Sequence, residues 1–307
     1  MISSFFNKTK PINYLVLLGI VCVLLLGTNL LNEELVWSLN NISLKIVALA
    51  VLLLTLYMLG EMTKSKKLTG DNSYAMLFYT LMLICFFLAV LDAPMIFCCF
   101  FLLLSVDRAL ALKSEKNQKE KIFEAALWIL VASLFFEWAL LFLIPLYIVI
   151  SLFIGKQLRL WLMPVASMGC FFILSYTGAL VFNQTENYID RYKFRLSLEF
   201  FLNPSWSSIL FIGFAFLIVL LVFAKLGYRR LGRTLSLRLL FSYLVVGVLI
   251  VLFGAVERSS AIMVLYFPAA VFAANYIETV KKNRLKEFLI ICAIVVPFTA
   301  FLFGAIQ

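Results

Sequence analysis

The sequence contains no histidine. This excludes a His-based zinc site, histidine ligation of haem and a Ser-His-Asp triad, each of which needs imidazole. Charge is also scarce: Asp, Glu, Lys and Arg make up 14% of the 307 residues, against about 25% in a soluble domain. The six cysteines, Cys22, Cys85, Cys98, Cys99, Cys170 and Cys292, all fall inside apolar runs. They read as small hydrophobes rather than as a disulfide framework or a metal cluster. No internal repeat, low-complexity linker or separate soluble domain is visible, so residues 1–307 are read as one domain. No cofactor or metal is expected.

What is present is apolar. Hydrophobic residues account for 64% of the chain and the mean hydropathy is +1.06. A water-soluble fold has too little interior for so much apolar surface, so a bilayer must be part of the solvent. Backbone groups in lipid must pair within the segment, which leaves helices or closed barrels. Barrel strands alternate apolar and polar residues, whereas these runs are apolar on every face. The expected fold is all-α, a polytopic transmembrane bundle.

Charged residues punctuate the runs and predict about eleven spans, at 14–31, 42–62, 73–91, 94–111, 122–136, 138–155, 160–182, 207–224, 238–256, 260–280 and 288–306. Lys8 and Lys10 precede the first, which is long for a signal-peptide core and is read as a retained span. The run 73–106 holds one charge, Asp92, followed by Pro94. LDAP reads as a reversal between two helices, since proline fixes φ and suits a helix start. The run 122–155, with Glu137 near its middle, reads as a short hairpin bending near FFEW. Treating it as one span would place Lys225, Arg229, Arg230, Arg233 and Arg238 outside, against the positive-inside bias.

With eleven spans, most of the 26 lysines and arginines gather on one side. The predicted N-terminus is therefore cytoplasmic and the C-terminus periplasmic. The bases left outside are Arg191, Lys193, Arg195 and Arg258, and Lys45 lies one turn inside the second span, where its stem can snorkel to water. The formal charge of +10 follows from this bias. Membrane lipids, not nucleic acid, are the expected partners.

The external polar residues are the candidate site. Glu33 and Glu34 sit in TNLLNEELVWSLNN, between the first two spans. They read either as a water-facing turn or as a catalytic carboxylate that activates a sugar hydroxyl beside a lipid-borne donor. Adjacent carboxylates raise one pKa by repulsion, an effect that Lys45 would oppose. Asp92 reads as an N-cap or as a supporting acid. Glu137 is either an acid within a span, a functional candidate by default, or a loop acid. In NQTENYIDRYKFRLSLEFFLNPSW, KFRLSLEF alternates like a strand. Alternatively Ile189, Tyr192 and Leu196 form one helical face and Arg191, Arg195 and Glu199 another. Arg191, Lys193 and Arg195 suit a lipid phosphate, through guanidinium forks, or plain anchoring at headgroups. Glu257-Arg258 reads as a turn or a local ion pair. On the cytoplasmic side, DRALALKSEKNQKEKIFEAALW is dense in charge and suits anionic headgroups or a docked protein. Glu124 there is read as structural, near a helix start.

Three stretches, MISSFFNKTKPINY, DRALALKSEKNQKEKIFEAALWILVASLFFEWALLF and RLWLMPVASMGCFF, resemble an uncharacterised family of polytopic inner-membrane proteins from gliding-type Gram-negative bacteria. The resemblance covers roughly the first 175 residues, with Glu124 where the family usually has Asp. It implies an inner-membrane location and no particular activity. The helix number, cytoplasmic N-terminus and acids in the first external loop are also similar to GT-C glycosyltransferases, although that loop is much shorter here. This second likeness implies transfer of a sugar from or onto a polyprenyl-phosphate carrier, with Glu33 or Glu34 as base, Asp92 in support, and Arg191 and Arg195 on phosphate. The alternative from another class is a non-catalytic subunit of an envelope or protein-export assembly.

Overall fold

Glycine and proline are sparse inside the apolar runs, and lipid-facing backbone must close its own hydrogen bonds, so the runs wind into helices. The computed structural model describes all residues except 1–4, 9, 32–38, 87–91, 115, 155–156, 193–205, 227–230, 255–258 and 305–307. The described elements are α1 (Pro11–Leu31), α2 (Leu39–Ser65), α3 (Tyr74–Cys85), α4 (Ala93–Ala111), α5 (Gln118–Ser133), a 3-10 segment (Glu137–Phe142), α6 (Leu143–Ile154), α7 (Leu158–Trp161), α8 (Met163–Val181), α9 (Thr185–Arg191), α10 (Trp206–Leu226), α11 (Leu231–Phe253), a second 3-10 segment (Ser259–Leu265), α12 (Tyr266–Thr279) and α13 (Asn283–Gly304). No strand occurs among the described residues.

A helical element lies at each of the eleven segments read from the sequence. Among the described residues six helices are long and apolar enough to cross a membrane: Ser43–Ser65, Ala93–Ala111, Leu158–Val181, Trp206–Lys225, Arg233–Phe253 and Ser260–Thr279. Pro11–Leu24, Tyr74–Cys85 and Glu137–Phe153 are apolar but shorter.

The helix start at Ala93 and the break after Ser133 have local causes. Asp92 stands at the N-cap of α4 with extended backbone, and Pro94 follows in the first turn. The capping reading is half right, because the Asp92 side chain makes no cap hydrogen bond; its carboxylate goes elsewhere, as described below. α5 stops at Ser133, and Phe136, at φ −150° and ψ 110°, breaks the helical path before the 3-10 segment. Glu137 opens that segment half-buried.

The centre of the bundle is the second 3-10 segment and α12, where all but four residues of Ser260–Thr279 are buried. α3 packs along α12, and nearly all of α3 is buried too. Tyr266 is the aromatic hub, with Tyr79, Phe86 and Phe211 rings 6.0–6.3 Å from its own. A second aromatic seam joins α4 to α5, where Phe101 stacks on Trp128 and Phe135 at 5.6 and 5.7 Å. Helix association in lipid depends on such close packing, since tails are as apolar as leucine. Gly60 illustrates the need for small residues: a Cβ there would lie 2.6 Å from Met76 Sδ and 2.8 Å from the Tyr14 ring. The outer helices carry the opposite surface. Leu210, Phe214, Leu217 and Leu220 of α10, and Ile173 and Leu174 of α8, are exposed apolar side chains.

Candidate functional site

At the end of the bundle where α4 begins, Ser260 donates its hydroxyl to the Asp92 carboxylate. Ser260 is buried and Asp92 half-buried. The bond ties the start of α4 to the second 3-10 segment. A neighbouring contact involves the loop after α8. α9 ends at Arg191 with Tyr192 as its C-cap, and Arg195, Leu196 and Glu199 of the helical reading lie outside the described residues. Tyr188 folds back so that its hydroxyl lies 2.7 Å from Ser175 Oγ, and Tyr192 OH lies 3.2 Å from Ser133 Oγ. Burial pushes the Tyr192 phenol above its ordinary pKa. Of the helical face read from the sequence, Tyr192 packs against Phe172 at 5.8 Å and Ile189 is exposed, while Leu196 lies outside the described residues. Arg191 donates from its guanidinium to the Leu134 carbonyl, at the break after α5.

Asp92 and Arg191 are thus the two candidates whose contacts are known. Glu33, Glu34, Lys193 and Arg195 lie outside the described residues, as do Glu257, Arg258 and the KFRLSLEF alternation. Lys45 is half-buried on α2.

The largest polar cluster is elsewhere, and the sequence reading missed it. Arg233, at the start of α11, sends Nη2 to Glu278 Oε2 at 2.5 Å and to Asn275 Oδ1 at 2.6 Å. Its Nε donates to the Leu68 carbonyl at 3.1 Å. Glu278 Oε1 accepts from the Gly70 N–H at 2.6 Å and from Asn72 Nδ2 at 2.8 Å. Asn275 Nδ2 donates to Leu68 O at 3.1 Å and to Val271 O at 2.7 Å. The Arg233 and Glu278 side chains are only 13% and 18% exposed, so the charges are largely desolvated and must be paired to persist. The cluster clamps the α2–α3 loop onto α11 and α12. Its one visible signal was in AANYIET, where Asn275 and Glu278 are spaced i, i+3 within an apolar run and share a helix face. Arg233 was hidden among the neighbouring bases.

Other polar contacts at this end include Lys66–Asp107 at 3.2 Å, Arg108–Glu124 at 2.9 Å, and Asn13 Nδ2 to Ser73 Oγ at 3.3 Å. Glu124 accordingly serves as an ion-pair partner of α4. In the interior, Thr55, Tyr79, Cys99, Phe142, Tyr243 and neighbours line a cavity of about 20 Å³. That volume matches one water molecule. None of the six cysteines forms a disulfide, and no cluster of three or more metal-ligating side chains occurs among the described residues.

Long apolar helices around a buried polar clamp define a helical membrane protein. No known protein family, curated protein or solved structure matches the chain.

Proposed function

We propose that the chain is a multi-pass protein of a bacterial inner membrane, with a cytoplasmic N-terminus and a periplasmic C-terminus, that serves as a non-catalytic subunit of an envelope or export assembly. One observation carries this reading: the two described members of the proposed carboxylate and phosphate sites, Asp92 and Arg191, are engaged with the protein itself. Asp92 accepts from Ser260 and Arg191 donates to Leu134 O, so each ties separate segments of the bundle together. Charge density in the α4–α5 loop and the first turn of α5, where Lys113, Lys116 and Lys119 are exposed, supplies a surface for a partner. Purification of the intact chain in mild detergent is expected to bring down stoichiometric companions. Recovery of a clean monomer at native expression overturns the reading.

A second reading is a GT-C-like transferase acting on a polyprenyl-phosphate-linked sugar at the periplasmic face. It is favoured by the half-open Asp92 carboxylate, which has a hydroxyl partner able to orient it, and by the exposed Arg191 at the same end. Here Glu33 or Glu34 is the base, and Lys193 and Arg195 join Arg191 on the phosphate. Cells carrying Glu33→Gln with Glu34→Gln then lose an envelope glycan; unchanged glycans remove this reading.

A further inference from the structure

The fold brings sequence-distant cations to one end of the bundle. Asn13 donates to the Lys8 carbonyl at 2.8 Å and to Ser73 Oγ at 3.3 Å, and the Ser73 N–H donates to Phe6 O at 3.0 Å. This fixes the N-terminal segment beside the start of α3. Lys286 of α13 sets its Nζ 4.7 Å above the Tyr74 ring, the next residue of α3. The Arg233–Glu278 clamp holds the 68–72 loop against α12. Around this junction Lys8, Lys10, Lys67, Lys281, Lys282 and Arg284 are exposed.

The acids nearby do not balance them. Glu278 is occupied by Arg233, Gly70 and Asn72, and Asp107 is paired with Lys66. Asp71 and Glu61 are exposed and Glu287 is half-buried. Lys286 itself is partly stripped of water, and this burial lowers its pKa although Glu278 pulls the other way. An ammonium group in that position gains from an anion that replaces lost hydration.

We infer that this rim, centred on Lys281, Lys282 and Arg284, is a docking surface for the phosphate headgroups of anionic phospholipids. The inference rests on the membrane reading above. The bases lie where apolar helices end, which is the depth of headgroups, and juxtamembrane Lys and Arg are attracted to anionic leaflets. A headgroup phosphate accepts several donors at once, so clustered cations from the α12–α13 connection, the first turn of α13, the N-terminal segment and the α2–α3 loop suit it better than isolated ones.

The test is native mass spectrometry of the full chain in detergent, titrated separately with phosphatidylglycerol, phosphatidylcholine and inorganic phosphate. Phosphatidylglycerol is expected to bind in preference to phosphatidylcholine. Each removed base costs about fivefold in relative affinity, so Lys281→Gln/Lys282→Gln/Arg284→Gln loses on the order of a hundredfold. The charge-keeping Lys281→Arg/Lys282→Arg/Arg284→Lys retains binding and reports on folding. Equal loss in Lys113→Gln/Lys116→Gln/Lys119→Gln overturns the location, and indifference to lipid charge, or equal binding of inorganic phosphate, overturns the docking. A chain recovered from cells in the soluble fraction without detergent instead fails the membrane reading, so the two failures are distinguishable.

Discussion

Replacing Glu278 with alanine removes the acceptor at the centre of the clamp. Arg233 keeps Asn275 Oδ1 and Leu68 O, but its charge loses the only carboxylate bonded to it among the described residues. The Gly70 N–H and Asn72 Nδ2 lose an acceptor at 2.6 and 2.8 Å. Breaking a buried pair from one side costs about 3–5 kcal/mol, and a stranded buried donor costs roughly 1–3 kcal/mol. Side-chain exposures of 13% and 18% let some water in, so the loss is placed at the lower end, about 3 kcal/mol. Arg233→Met alone leaves the Glu278 charge without its cation, held only by the Gly70 N–H and Asn72 Nδ2, and costs a similar amount. The double variant Glu278→Ala/Arg233→Met has no unpaired charge and recovers part of the loss, with a coupling of roughly 1–3 kcal/mol. The assay is thermal or denaturant unfolding in detergent of a background in which the other five cysteines are replaced by alanine, followed with a thiol-reactive fluorophore that reports exposure of the buried Cys98. A single-variant effect below about 1 kcal/mol, or strict additivity in the double variant, refutes the claim that this pair is a desolvated clamp.

Gly60→Leu forces bulk into the crossing of α2 with α1 and α3 and is expected to destabilise by about 1–3 kcal/mol in the same unfolding assay. Tyr266→Phe is expected to be neutral or slightly stabilising, within about 1 kcal/mol, because the buried Tyr266 hydroxyl has no hydrogen-bond partner among the described residues; a large loss would show an unseen bond. Lys286 has its pKa lowered by burial, so its charged form is disfavoured by folding. Stability should therefore rise as pH climbs through the lowered value toward the ordinary lysine range, and the difference between the native chain and Lys286→Met should carry this slope. An opposite slope shows that Glu278 outweighs burial.

Hydropathy and charge are properties of short windows, and what they control was legible without a structure. The all-helical class follows from runs apolar on every face. The helix start at Asp92–Pro94 and the break at Phe136 follow from local residues, since proline sets φ and FFEW interrupts an overlong run. The contacts that decide a site are not local. Gly70 and Glu278 are separated by 208 positions in the chain, and Asp92 and Ser260 by 168. Asp92 at an N-cap is readable, but its preference for Ser260 over the helix N–H groups depends on where the second 3-10 segment lies. The same holds for Arg233, one base among several in its loop until α12 presents Glu278 and Asn275 to it. A sequence reports which surfaces avoid water and where the backbone must turn. Only the order of helices around α12 decides which buried polar groups meet, because in lipid each must find a partner from whatever helix the packing sets beside it.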